Sequence, residues 1–299
     1  MSAFSDLKAR YDSGKMFQKL LYINVAVFLV VFTIKLFFLD KGSFLYDTGL
    51  TLKTTANFQH LIRRPWSIVT HMFMHTGLFH ILFNMVFLYF LGGMFESRFG
   101  ARKLLSTYLL GGLTGFLVYF SVAHLLPEWR MFGTAEGASA AVMAIFVAYA
   151  TYFPDEQIRL MLIGPVKLKY LALFYVLFDY ISLLFDYISL GGSNSGGHLG
   201  HLGGALYGFL LMSQMRKGKD IGAWFEKLLD RIVDLFKKRS HLRVVKAPSK
   251  KYKTDEEFNK EKLNREKKLD RILDKISKGG YDALTKDEKQ FLAKFGKDN

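Results

Sequence analysis

The sequence predicts an all-α polytopic membrane protein: a bundle of six transmembrane helices with a partly embedded first loop, followed by a small helical soluble tail. Three observations carry that prediction. Of the 299 residues 51% are hydrophobic, and mean hydropathy is +0.15 although the chain from Arg216 onward is strongly charged. The apolar residues gather into long stretches that end near Met215, and six of them approach the roughly 20 residues that a helix needs to cross a bilayer. Short connecting segments rich in Lys and Arg alternate with short ones that have few, as loops on opposite membrane faces do, while the longer segment 40–70 departs from the rule in holding four basic residues although it must lie outside.

The elements follow in order. Residues 1–16 read as a cytoplasmic segment, with Lys8, Arg10 and Lys15 ahead of the first apolar run, 17–39. No small-x-small cleavage site follows that run, so it reads as a retained first span. Residues 40–70 mix Phe44, Leu45, Phe58 and Trp66 with Lys41, Lys53, Arg63 and Arg64, the pattern of an interfacial, partly embedded loop. Spans two and three, 80–95 and 103–125, are separated by Arg98, Arg102 and Lys103, which mark a cytoplasmic turn. A segment with Arg130 as its one Lys or Arg leads to span four, 137–153, and Arg159, Lys167 and Lys169 mark a second cytoplasmic loop before span five, 168–185. Residues 186–197 carry no Lys or Arg and lead to span six, 200–215. Six crossings place both termini inside. Nothing resembles a transit peptide, so a prokaryotic inner membrane is the expected location.

Within span five the hexapeptide Phe178-Asp179-Tyr180-Ile181-Ser182-Leu183 recurs seven residues later, from Phe185 to Leu190. A period of seven keeps both copies on nearly one helix face. The repeat reads as a structural duplication that lengthens the helix.

The tail, 216–299, sets 25 Lys and Arg against 15 Asp and Glu and so supplies +10 of the +15 formal net charge. Beside membrane spans, such a basic excess points to cytoplasmic retention and anionic headgroups, not to nucleic acid. An amphipathic stretch from Lys219, a linker at 247–249, a charged helix over 255–277 and a short helix over 286–295 with Thr285 as N-cap are expected. The absence of cysteine excludes disulfides and thiolate nucleophiles.

Close packing in lipid needs small side chains four residues apart. They occur as Gly111 and Gly115, as Ala140, Ala144 and Ala148, and as Gly204 and Gly208. Packing the fourth span on the sixth brings Ser139 near His201, two polar groups that are costly at membrane depth. On the second span His80 and Asn84 are four apart, hence on one face, where both can donate to one oxygen. Simple interhelical hydrogen bonding would explain any one of these residues alone. Zinc is the competing reading for His71 and His75 with His198 or His201. No His-Glu-x-x-His occurs and no carboxylate shares the face, so no metal and no cofactor is expected.

Taken together, His80-Ile81-Leu82-Phe83-Asn84 running on to Leu91-Gly92-Gly93, Glu96 and Arg98, then Gly137-Ala138-Ser139-Ala140, then His201-Leu202-Gly203-Gly204 and Gly208 resemble the ordered signatures of rhomboid intramembrane serine proteases. The resemblance covers about 17–215. It implies Ser139 as nucleophile and His201 as general base, a dyad lacking the aspartate of the usual triad, with the Ser139 amide, His80 and Asn84 binding the oxyanion. Glu96 and Arg98 would hold the second helix and first loop by structural hydrogen bonds. The implied substrates are transmembrane proteins, cut in or near the membrane after a small residue, and the bilayer is the other partner. Three positions depart from the pattern. Ala140 stands where many members have glycine, Met143 where some have a tyrosine stacked on the histidine, and Ser67 follows Trp66 where an arginine is common. A non-catalytic rhomboid-like escort would share the fold but has no need of the Ser, His and Asn set.

Overall fold

A computed structural model describes residues 11, 13–37, 52–126, 134–160, 163–188, 195–236 and 254–295. The segment before residue 11, all of 38–51, Arg130, the end of the second hexapeptide copy and the linker at 247–249 lie outside these. The chain forms two compact units, Met1–Lys237 and Lys238–Asn299.

In the first unit α1 (Met16–Phe37) is followed by a loop holding strand β1 (Thr54–Thr55), two short helices α2 (Phe58–Arg63) and α3 (Ser67–Thr70), and a 3-10 turn at His71–Phe73. A single helical run, α4 (Leu78–Leu125), supplies the second and third spans. The sequence pointed to a loop near 96–102, whereas the helix runs on and is broken only at Gly100, whose φ of +84° a side chain would strain. Strand β2 (Thr134–Ala135) pairs antiparallel with β1, Thr54 opposite Ala135, and fixes the first loop against the chain entering α5 (Ser139–Tyr152). A hairpin of β3 (Gln157–Leu160) and β4 (Gly164–Lys167) leads to α6 (Leu168–Ile188), then α7 (Ser195–Met215) and α8 (Ala223–Phe236). At that hairpin the ammonium groups of Lys169 and Lys167 bond to the Asp155 carboxylate and hold it down at about 2.

Helix α5 is the centre of the bundle: residues 140–150 are all buried, as befits a helix apolar on every side. Its neighbours approach through glycine. A Cβ added at Gly115 would lie 2.7 Å from both Ala140 Cβ and Gly200 O, one at Gly204 would collide with the Ala140 carbonyl, and one at Gly208 with that of Ala144. The small-residue stripes therefore do bring the third, fourth and sixth spans together. Helices α1 and α6 lie outside and turn Leu29, Phe32, Phe174 and Phe178 outward, an apolar surface suited to lipid. Polar bonds pin the outer helix: Asn24 donates to Tyr108 Oη at 3.1 Å, and Tyr108 donates to Met72 O at 3.0 Å.

Helix α8 is held by the buried Lys103 ammonium, which is ion-paired with both Asp220 and Glu226. Two carboxylates on one buried cation meet its desolvation cost only because they arrive together.

In the second unit α9 (Asp255–Gly279) begins with a capping box in which Thr254 and Glu257 satisfy each other's backbone N–H. A 3-10 turn at Tyr281–Ala283 leads to α10 (Lys286–Phe295). Lys275 meets Glu288 at 2.6 Å, and Ile272 and Leu284 are its buried apolar residues.

Candidate functional site

Four helices contribute to one cavity of about 470 Å³, walled by Phe79, Phe83, Phe87 and Phe146 and lined by His80, Asn84, Ser139, Asp179, His198 and His201.

Ser139 is the first residue of α5. The turn before it is fixed from three sides. Gly137 N–H donates to His71 O at 2.8 Å, Ala138 N–H donates to His75 Nε2 at 3.2 Å, and Glu136 pairs with Lys53 at 2.8 Å and accepts from the Thr76 hydroxyl. Gly137 has φ +114°, and a Cβ there would sit 2.7 Å from His80 Nε2 and 3.6 Å from Ser139 Oγ, so His80 and Ser139 flank this glycine closely. The first N–H groups of a helix have no intrahelical acceptor, and they carry the positive end of its dipole. Ser139 thus stands beside amides suited to an anion. Its Oγ lines the cavity and has no hydrogen-bond partner among the described residues.

From the first limb of α4, His80 and Asn84 reach the same cavity one turn apart. Asn84 Nδ2 donates to His80 O at 2.9 Å, which leaves its second amide proton for another acceptor.

The spacing of α7 differs from the sequence expectation. The helix starts at Ser195, not near 200, so His201 lies inside it instead of opening it. Packing overrides the poor helix propensity of Gly196 and Gly197 here: Gly196 lies against the Tyr119 ring, and Ser195 Oγ bonds Asp186 Oδ2 at 2.9 Å. His198 and His201, three apart, share one face. Both direct Nδ1 to Asp179 Oδ1 of α6, at 2.7 Å and 2.9 Å. Asp179 is 3% exposed. Sequence reasoning missed this residue, having taken its hexapeptide as structural; the signal was a carboxylate inside an apolar span.

Among the described residues, Asp179, His198 and His201 are the group whose ligand-type atoms converge, within 4.8 Å of one another. His71 and His75, considered for zinc from the sequence, stand apart from it. The ring of His71 bonds Ser67 O at 3.1 Å, and His75 holds Ala138.

Glu96 and Arg98 also have partners other than the expected first loop. Glu96 caps α1, accepting from Met16 N–H at 2.9 Å and Phe17 N–H at 2.8 Å, a carboxylate on a helix N-terminus. The Arg98 guanidinium lies 5.2 Å from the centre of the Phe153 ring, at the end of α5.

Comparison with known proteins adds independent findings. The model of the Rhomboid domain family matches residues 63–217, more than half of the chain, and the model of a family of unknown function (DUF6576) matches 252–298. Similar proteins include "RHOMBOID-like protein 12, mitochondrial" of Arabidopsis thaliana, 31% identical over 52% of this chain and 48% of its own length. Others are "Rhomboid-like protease 3" of Toxoplasma gondii, 29% identical over 58% and 59%, and "Rhomboid protease GlpG" of Yersinia pestis (strain Pestoides F), 28% identical over 49% and 46%. The chain spans about half the length of these curated relatives.

Proposed function

The chain belongs to the rhomboid family of integral membrane proteins, and from that membership we propose that it is an intramembrane serine endopeptidase that cuts membrane-anchored proteins in or near their transmembrane segment. The observation that carries the proposal is the meeting of Ser139, His201, His80 and Asn84 on one cavity with aromatic walls.

In this reading His201 Nε2 takes the proton of Ser139 as Oγ attacks the scissile carbonyl carbon. The oxyanion is received by the Ser139 N–H at the head of α5 and by His80 and Asn84. His201 then passes its proton to the leaving amine, and water hydrolyses the acyl-enzyme with His201 again as base. Glu96 and Arg98 support α1 and α5, while Gly137, Gly204 and Gly208 permit the close approaches on which the geometry depends. The reading requires Ser139 Oγ and His201 Nε2 to stand within hydrogen-bond reach in the substrate complex, where catalytic hydrogen bonds commonly tighten.

The test is incorporation of the purified protein into vesicles with a transmembrane substrate, mapping the cut by mass spectrometry and treating the protein with a serine-directed phosphonate. A cut in or beside the membrane segment and an adduct on Ser139 are the expected results. No cut, or an adduct elsewhere, overturns the proposal.

The basic segments around Arg102 and Arg159 further support an orientation with both termini on the cytoplasmic side. The chain has no cysteine, so single cysteines report cleanly. On intact cells an impermeant maleimide is expected to label Gln59→Cys in the first loop and to spare Lys217→Cys after α7; the reverse pattern would invert the topology.

A further inference from the structure

We infer that Asp179 is a positioning residue for His201, so that the site works as a Ser139–His201–Asp179 triad and not as a dyad. This rests on the reading of Ser139 and His201 as nucleophile and base.

The carboxylate needs an explanation on physical grounds. It lies in a helix whose other large side chains mostly face outward, yet it is 3% exposed, and a buried charge at membrane depth persists only when paired. One oxygen, Oδ1, takes both imidazole contacts, at 2.7 Å from His198 Nδ1 and 2.9 Å from His201 Nδ1. An ionised carboxylate only accepts, so each Nδ1 must carry its proton. In a neutral ring Nε2 is then the free lone pair, which is the atom His201 needs to take a proton from Ser139. His198, nearly perpendicular to His201 at 88° and 6.1 Å between ring centres, gives Oδ1 its second donor and restricts the carboxylate to one orientation.

The protons balance without further reagents. Transfer of the Ser139 proton to Nε2 makes the His201 ring cationic, while Asp179 stays ionised and keeps accepting from Nδ1–H. The proton on Nε2 leaves with the amine product. Water later supplies a proton by the same atom, and it returns to Ser139 Oγ as the acyl bond breaks. At each stage the carboxylate lowers the energy of the cationic ring, an effect magnified where water is scarce. A clamp serving only to join α6 to α7 would need no particular alignment with the base.

Asp179→Asn keeps the shape and removes the charge. In full-length protein in vesicles it is expected to lower kcat by about 10² to 10⁴ fold, the upper figure being that of the same change in a soluble Ser-His-Asp protease. KM and thermal midpoint should hardly move, and phosphonate inactivation of Ser139, which needs the same base but no peptide, should slow in parallel. Asp179→Glu, which restores a carboxylate, should recover part of kcat. Unchanged kcat, a loss confined to KM or thermal midpoint, or a full copy of the loss in His198→Gln would overturn the triad. Cleavage that survives in Ser139→Ala would instead overturn the protease reading itself.

Discussion

Ser139→Ala and His201→Ala are each expected to slow cleavage by about 10⁶ fold, and the double variant no further, because nucleophile and base act as a unit. Without Oγ there is no acyl-enzyme. Without the imidazole, Oγ keeps its proton and is a poor nucleophile near neutral pH. What survives either loss is the oxyanion set of His80, Asn84 and the α5 amides, which neither substitution touches. Product formation in vesicles, followed for each single and the double variant, measures this. A double variant much slower than both singles would mean that the two residues act in separate steps.

The second large effect is expected at a residue with no chemistry. Gly204→Leu forces a side chain into the Ala140 carbonyl, where a single added carbon already collides with backbone. Backbone at the centre of a packed helix cannot move aside cheaply; overpacking typically costs about 1 to 3 kcal/mol, and a rigid backbone contact lies at the upper end. Since α5 carries Ser139 and α7 carries His201, thermal stability and cleavage should fall together. Gly200→Ala is the control on the same helix: its added carbon meets only Ala140 Cβ at 3.9 Å, an ordinary contact, and should leave the thermal midpoint within a few degrees. Both replacements improve helix propensity over glycine, so equal destabilisation by the two would show that the approach of Gly204 to the Ala140 carbonyl is not what sets the stability of α7.

Much of this was legible from one sequence because it rests on local spacing. Apolar runs gave the spans, and four-residue stripes of Gly and Ala gave the α4, α5 and α7 contacts. The i, i+4 relation put His80 and Asn84 on one face. Partners far along the chain were not legible. The acceptor for the α1 amides is Glu96, about 80 residues on, and no local pattern announces it. Asp179 meets His201 only because α6 presents that particular face to α7, which depends on packing rather than on periodicity. The helix starts were misjudged for a related reason: Ser195 to Gly197 look like a loop until Tyr119 and Asp186 are set against them. Met143 is informative too. It lines the cavity one turn beyond Ser139 but cannot orient an imidazole by stacking, and that task falls to the carboxylate across the cavity.

The duplicated hexapeptide of α6 gives the interface a spare part. In the present register Asp179 serves the two histidines and Asp186 serves Ser195. Loss of the seven residues 179–185 would set Asp186 directly behind Phe178, rebuilding the same hexapeptide in the same place on a helix two turns shorter. A shift of α6 by seven residues, about 10 Å along its axis, would set Asp186 where Asp179 now faces the histidines, and the Ser195 bond to Asp186 marks the register observed.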